Sequence, residues 1–142
     1  MCVVEISRPD SRTILCTIDF SESSGQAVEW GLKMAQHMRA HLSIRYTYRL
    51  IQSRGVDVVH LKWSIEEEAR QKFVKIERDH LIGKGTSYDF EIEVGFVSDR
   101  IQAYAKKNNL NMIIMDKHVN TRSGETFEEL MNDSKAPMLL IP

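Results

Sequence analysis

Near the end of the chain, between the apolar runs at 112–115 and 138–141, lies the stretch DKHVNTRSGETFEELMND, which opens on Asp116. An apolar strand that ends in a loop and runs into a helix is a place where a phosphate can be held, because the helix N-terminus offers unpaired N–H groups and a partial positive charge. Glycines normally line such a loop, since a backbone without Cβ lets several N–H groups close on one anion. Here the loop contains Gly124 alone, with Asp116 at its start and Glu125 at the start of the helix-like segment. A carboxylate at a helix N-terminus is stabilised by the dipole, but it takes the positive end that a phosphate would use and repels a second anion. The stretch has the outline of a phosphate site with the charge reversed.

Other residue types able to do chemistry are scattered. His37 and His41 have the spacing of a helical metal pair, yet a helix-to-strand junction falls between them and no acidic or cysteine partner is near in sequence, so no metal is expected. His118, beside Lys117 in the loop, reads as solvated. There is no Gly-x-Ser-x-Gly elbow and no Walker loop, and HVNTRSGET has hydroxyls and Arg122 without a glycine framework to aim its N–H groups. With no nucleophile in prospect, the chain is expected not to be an enzyme. Arg45 stands in the middle of HLSIRYTY, and a guanidinium on a sheet face needs an acceptor. Glu91 or Glu93 on a neighbouring strand is expected to supply it, the alternative being an anion-binding arginine that opens on a cleft. Trp30 and Trp63 read as core or helix-packing residues.

The elements that must position these residues follow from periodicity. TILCTI suits a strand covered on both faces. It ends at Asp19, a turn aspartate expected to bond backbone N–H groups. Ala27, Trp30, Met34 and Met38 then recur at helical spacing, with Ser21 as the N-cap candidate. HLSIRYTY alternates as a half-buried strand. Residues 49–63 show no clean period and contain Gly55, so they read as a loop long enough to carry function or mobility. From Ser64 a stripe of Ile65, Ala69, Phe73, Ile76 and His80 marks the longest helix, with Glu66/Arg70 and Glu68/Lys72 as favourable i,i+4 pairs. YDFEIEV alternates with one wet face and belongs near a sheet edge. A helix is expected over 98–108, a strand at NMIIM, a short helix at GETFEELMND with Phe127, Leu130 and Met131 inward, and a last strand at PMLLIP. The order βαβαβαβαβ implies an α/β fold, a parallel sheet with helices on both faces.

A length of 142 residues suits a single domain, 1–142, in which residues 1–12 form an N-terminal extension. Lysine and arginine number 19 against 20 aspartates and glutamates, a formal charge of −1 that gives no reason to expect a nucleic acid or an acidic membrane surface. No run approaches the roughly 20 apolar residues that span a bilayer, and MCVVEISRPDSR lacks a signal-peptide core, so a cytoplasmic location is expected. Two cysteines, Cys2 and Cys16, cannot form a disulfide framework, and Cys16 reads as a packed, reduced thiol.

Taken in order, ILCTIDFSESSGQAVEWGLKMA, VGFVSDRIQAYAKKNNLNMIIM and APMLLIP resemble the universal stress protein family. The first is similar to that family's opening strand, Asp-x-Ser turn and first helix. The second, with Gly95 and Ile101, is similar to its third strand end, third helix and fourth strand, and the last to its closing strand. The resemblance runs from Thr13 to Pro142 and leaves residues 48–63 unmatched. It implies a five-stranded parallel sheet in the order 3-2-1-4-5. ATP-binding members carry Gly-x2-Gly-x9-Gly-(Ser/Thr) after the fourth strand. Gly124 matches the last of those glycines, but Asp116 stands for the first, Glu125 takes the hydroxyl position, and the loop is shorter than the pattern requires. Asp19 matches an aspartate that lies beside the nucleotide in such members. The resemblance therefore implies a degenerate nucleotide site at Asp19, Asp116, Gly124 and Glu125, no cofactor, and a non-catalytic stress-response or regulatory module. The alternative is a nucleotide-binding member with weak ATPase or sensor activity, using Asp19, Ser123, Gly124 and Thr126. The family order puts Met138, Leu139, Leu140 and Ile141 on an apolar sheet edge without charge, which implies a homodimer paired through this strand. A protein partner of unknown kind would meet residues 49–63.

Overall fold

The computed structural model describes residues 12–50, 55, 57–116 and 136–142. Within them β1 (Thr13–Ile18), β2 (His41–Tyr48), β3 (Tyr88–Val94), β4 (Leu110–Asp116) and β5 (Met138–Ile141) form one parallel sheet in the order β3-β2-β1-β4-β5. This is the order implied by the resemblance. All six residues of the central β1 are buried, as its unbroken apolar run requires, whereas the alternating β3 lies half-buried at an edge. The chain winds outward from β1 in both directions, so the carboxyl ends of β1 and β4 frame a switch-point crevice.

Helices α1 (Ser24–Met38) and α2 (Val58–Ile76) cover one face, over Cys16, Ile18, Leu42, Ile44 and Ile114. Helix α3 (Val97–Lys107) covers the other, where Val97 and Ile101 meet Leu15, Ile113 and Met115. The N-terminal extension apart from Arg12, the helix expected at GETFEELMND, and most of the residues between Leu50 and Asp57 lie outside the described residues.

Three expectations need correction. The buried stripe of α1 is Ala27, Val28, Gly31, Leu32 and Ala35, and Trp30 is left 40% exposed beneath Lys33. Gly31 explains the shift: a Cβ there would come within 2.9 Å of Leu42 Cδ1, so the helix approaches the sheet along its glycine and the neighbouring indole turns outward. Next, α2 begins at Val58, inside the stretch read as a loop. Asp57 caps it, its Oδ1 accepting from the backbone N–H of Val59 and His60. The first turns carry exposed Val59 and Trp63, so no apolar period announces them, and Trp63 stacks on His60 rather than in the core. Finally, α2 runs into a π-wound turn, Glu77–Leu81, which sets His80 against α1. There His80 Nδ1 meets Glu29 Oε1 at 2.8 Å, and Gly25 leaves the space its ring needs.

Candidate functional site at the head of β1 and β4

Asp19 follows β1, and its Oδ1 accepts hydrogen bonds from the Ser21 N–H at 2.9 Å and the Ser24 hydroxyl at 3.3 Å. This is the turn role expected of it. Phe20 passes through a φ of 62°, and the following hydroxyls of Ser21 and Ser23 reach β4. There they meet Asp116, which is the last residue of the strand, opposite Ile141 on β5, and wholly buried. Ser21 Oγ donates to Asp116 Oδ2 at 2.5 Å, and Ser23 Oγ donates to the same oxygen at 2.6 Å. Such short bonds to a carboxylate are charge-assisted and roughly twice as strong as neutral ones.

Ser21 is therefore not the helix cap that its position suggested. The N-cap of α1 is Ser23, and it makes no side-chain cap bond. A buried carboxylate needs donors more than a helix terminus that water can reach, so both hydroxyls serve Asp116. The turn DFSESS carries the signal for this in its run of hydroxyls, but its acceptor is 95 residues away in sequence from Ser21. Cys16 lies beneath the crevice, and burial, followed by the nearby charge of Asp116, pushes its thiol up to about 12. It stays protonated and is no nucleophile. Gly124, Glu125, Ser123, Thr126 and His118 fall outside the described residues. Of the predicted site, then, Asp19 and Asp116 are brought to one crevice, joined through the serines of a single turn.

On the α3 side Arg45 is satisfied as expected. Its guanidinium lies 2.9 Å from Glu91, 3.8 Å from Glu93 and 3.9 Å from Asp89, with the Tyr104 ring 4.8 Å beneath it. Asp89 also accepts from the Ser43 hydroxyl at 2.7 Å and sits 2.9 Å from His41 Nε2. Burial alone would raise its carboxyl, but these hydrogen bonds and the Arg45 charge hold it below its usual value. Glu93 goes the other way, raised because burial outweighs Arg45 and Arg100. Arg45, Glu93 and Tyr104 leave a cavity of only about 10 Å³ between them and Thr17, room for about one water and far too little for a nucleobase. The acidic neighbour that His41 lacked in sequence is thus Asp89, on the adjacent strand. Among the described residues, no group of three His, Cys, Asp or Glu side chains is placed to hold a metal ion.

At the other edge of the sheet, β5 packs Leu139 against the α1 side and Met138 against the α3 side. Ile141 is buried, while Leu140 is 38% exposed.

Residues 11–142 match the profile of the Universal stress protein family. The chain belongs to that family. Among solved structures, a universal stress protein of Burkholderia pseudomallei shares 22% identity, with a TM-score of 0.74 and coverage of 92% of this chain and 95% of that one. The universal stress protein of Lactobacillus plantarum shares 17%, with a TM-score of 0.75 and coverage of 92% and 97%. That of Archaeoglobus fulgidus, solved in complex with dAMP, shares 11%, with a TM-score of 0.64 and coverage of 95% and 100%. A search of curated proteins finds no match. The universal stress protein fold thus spans nearly the whole of this chain.

Proposed function

We propose that this universal stress protein is a non-catalytic stress-response or regulatory module whose nucleotide crevice is closed by its own Asp116. The observation that carries this reading is the pair of bonds from the Ser21 and Ser23 hydroxyls to the Asp116 carboxylate. An incoming phosphate would have to take those donors from Asp116 while lying beside a buried negative charge. Two like unit charges 4 Å apart repel by about 4 kcal/mol at an effective dielectric of 20. Glu125 and the shortened, glycine-poor loop work in the same direction.

The proposal includes a two-fold homodimer paired through β5, supported by the exposed Leu140 on an edge strand that carries no charge. Among the described residues no helix is long and apolar enough to cross a membrane. A cytoplasmic site of action, without nucleic acid or membrane as partner, belongs to the same reading.

The test is the nucleotide content of the protein as purified from cells, released by acid and separated by chromatography. The expected result is no nucleotide in stoichiometric amount. One adenine nucleotide per chain would overturn the proposal and favour a nucleotide sensor.

A further inference from the structure

A second crevice opens at the same end of the sheet but on the α2 side, with a volume of about 240 Å³. Its wall is aromatic, formed by Phe20 from the β1–α1 turn and by Tyr46 and Tyr48 from β2. Phe20 meets Tyr46 at 4.9 Å with the rings tilted by 58°, and Tyr46 stacks on Tyr48 at 6.1 Å. Tyr48 is fixed by its hydroxyl, which donates to Glu66 at 2.6 Å. Phe20 holds its ring in this wall at a φ of 62°, a conformation that a bulky residue rarely adopts and one that collects at ligand sites.

The rim is charged. Lys72, Glu68, Ile65 and Ala69 from α2 and Arg49 just after β2 complete the lining, with the Arg49 guanidinium turned onto the Phe96 ring at 4.5 Å and Lys72 carrying the positive charge on the α2 side. Lys72 Nζ lies 3.2 Å from Glu68, in a pair more than half exposed on both sides. Exposed pairs of this kind are weak and readily exchanged. The same ammonium stands 6.0 Å from the Phe20 ring, within reach of anything lying on that face.

Size narrows the occupant. The crevice exceeds the roughly 150 Å³ that accommodates benzene and falls short of the roughly 300 Å³ at which drug-sized pockets begin. We propose that it binds a small planar aromatic carboxylate, of one or two rings, with the rings on Phe20 and Tyr46 and the carboxylate on Lys72. The site is separate from the Asp116 crevice and does not depend on how that crevice treats nucleotides.

The experiment is a backbone-amide NMR titration of the full chain with 2-naphthoate, with 2-naphthalenemethanol as its neutral counterpart. Saturable shifts centred on Phe20, Tyr46 and Ala69 are expected from the acid, with weaker binding of the alcohol. Lys72→Glu should weaken the acid about tenfold, the combined effect of a lost attraction and an added repulsion at an exposed site. Glu68→Gln should strengthen it, because Lys72 is then released from its partner. Both positions are exposed, and a thermal melt of each variant verifies that it folds. Opposite signs in these two variants separate a binding role from a merely structural one. An absence of saturable shifts in folded protein, shifts centred on Ser23 and Asp116, equal binding of acid and alcohol, or the same sign in both variants would overturn the proposal.

Discussion

At the scale of single residues, the crevice turns on one carboxylate and two hydroxyls. If Asp116 holds Ser21 and Ser23 as the geometry shows, Ser23→Ala should cost about 1.5 kcal/mol in the native chain. In an Asp116→Ala background the same change should cost almost nothing. Urea midpoints of the four proteins in that cycle measure the coupling, and a coupling near zero would show that the carboxylate does not hold the turn. The hydroxyl run of the turn and the carboxylate were each legible in the sequence, but their pairing was not, because a side-chain contact between residues so distant in sequence leaves no local pattern. Asp89 offers a second residue-level test. Its folded-state value is held below the usual one, so it gives up its proton more readily in the folded chain than in the unfolded one. The stability it contributes is whole above about pH 4 and is lost as pH falls through the lowered value. Asp89→Asn should therefore flatten the loss of stability with acid in that window. An acid limb of unchanged slope in the variant would contradict the assignment.

Among the elements, β5 has the most direct consequence. Leu139 points into the core on the α1 side and Leu140 toward solvent at the edge. Leu140→Lys should give a folded monomer, and Leu139→Lys a protein destabilised by about 1–3 kcal/mol, since a charge then replaces a half-buried leucine packed against the core. Light scattering and thermal melts on both decide it: a dimeric Leu140→Lys protein would exclude pairing through this strand. The strands were the most legible elements, because an apolar run such as TILCTI or an alternation such as YDFEIEV is a pattern in the residues themselves. The helices were read less well, for physical reasons. The start of α2 rests on the Asp57 cap and not on any buried residue, and the packing of α1 is centred on Gly31, which adds nothing to an apolar stripe.

For the molecule as a whole, the alternation of strands and helices was enough to indicate a parallel α/β sheet, and the strand order came with the family resemblance, as the observed sheet bears out. The crevice follows from that order, since the switch point falls between β1 and β4. Its chemistry does not follow from the fold, because related scaffolds differ in the side chains they place there. Here a buried carboxylate stands in that place. The central claim, that the crevice admits no ATP, is tested most directly by the melting temperature of the purified chain with and without millimolar ATP and magnesium. A ligand at 100 times its Kd adds about 2.7 kcal/mol, which in a domain of this size is a rise of about 5 °C or more. The predicted result is an unchanged melting temperature, and a rise of that size would contradict it.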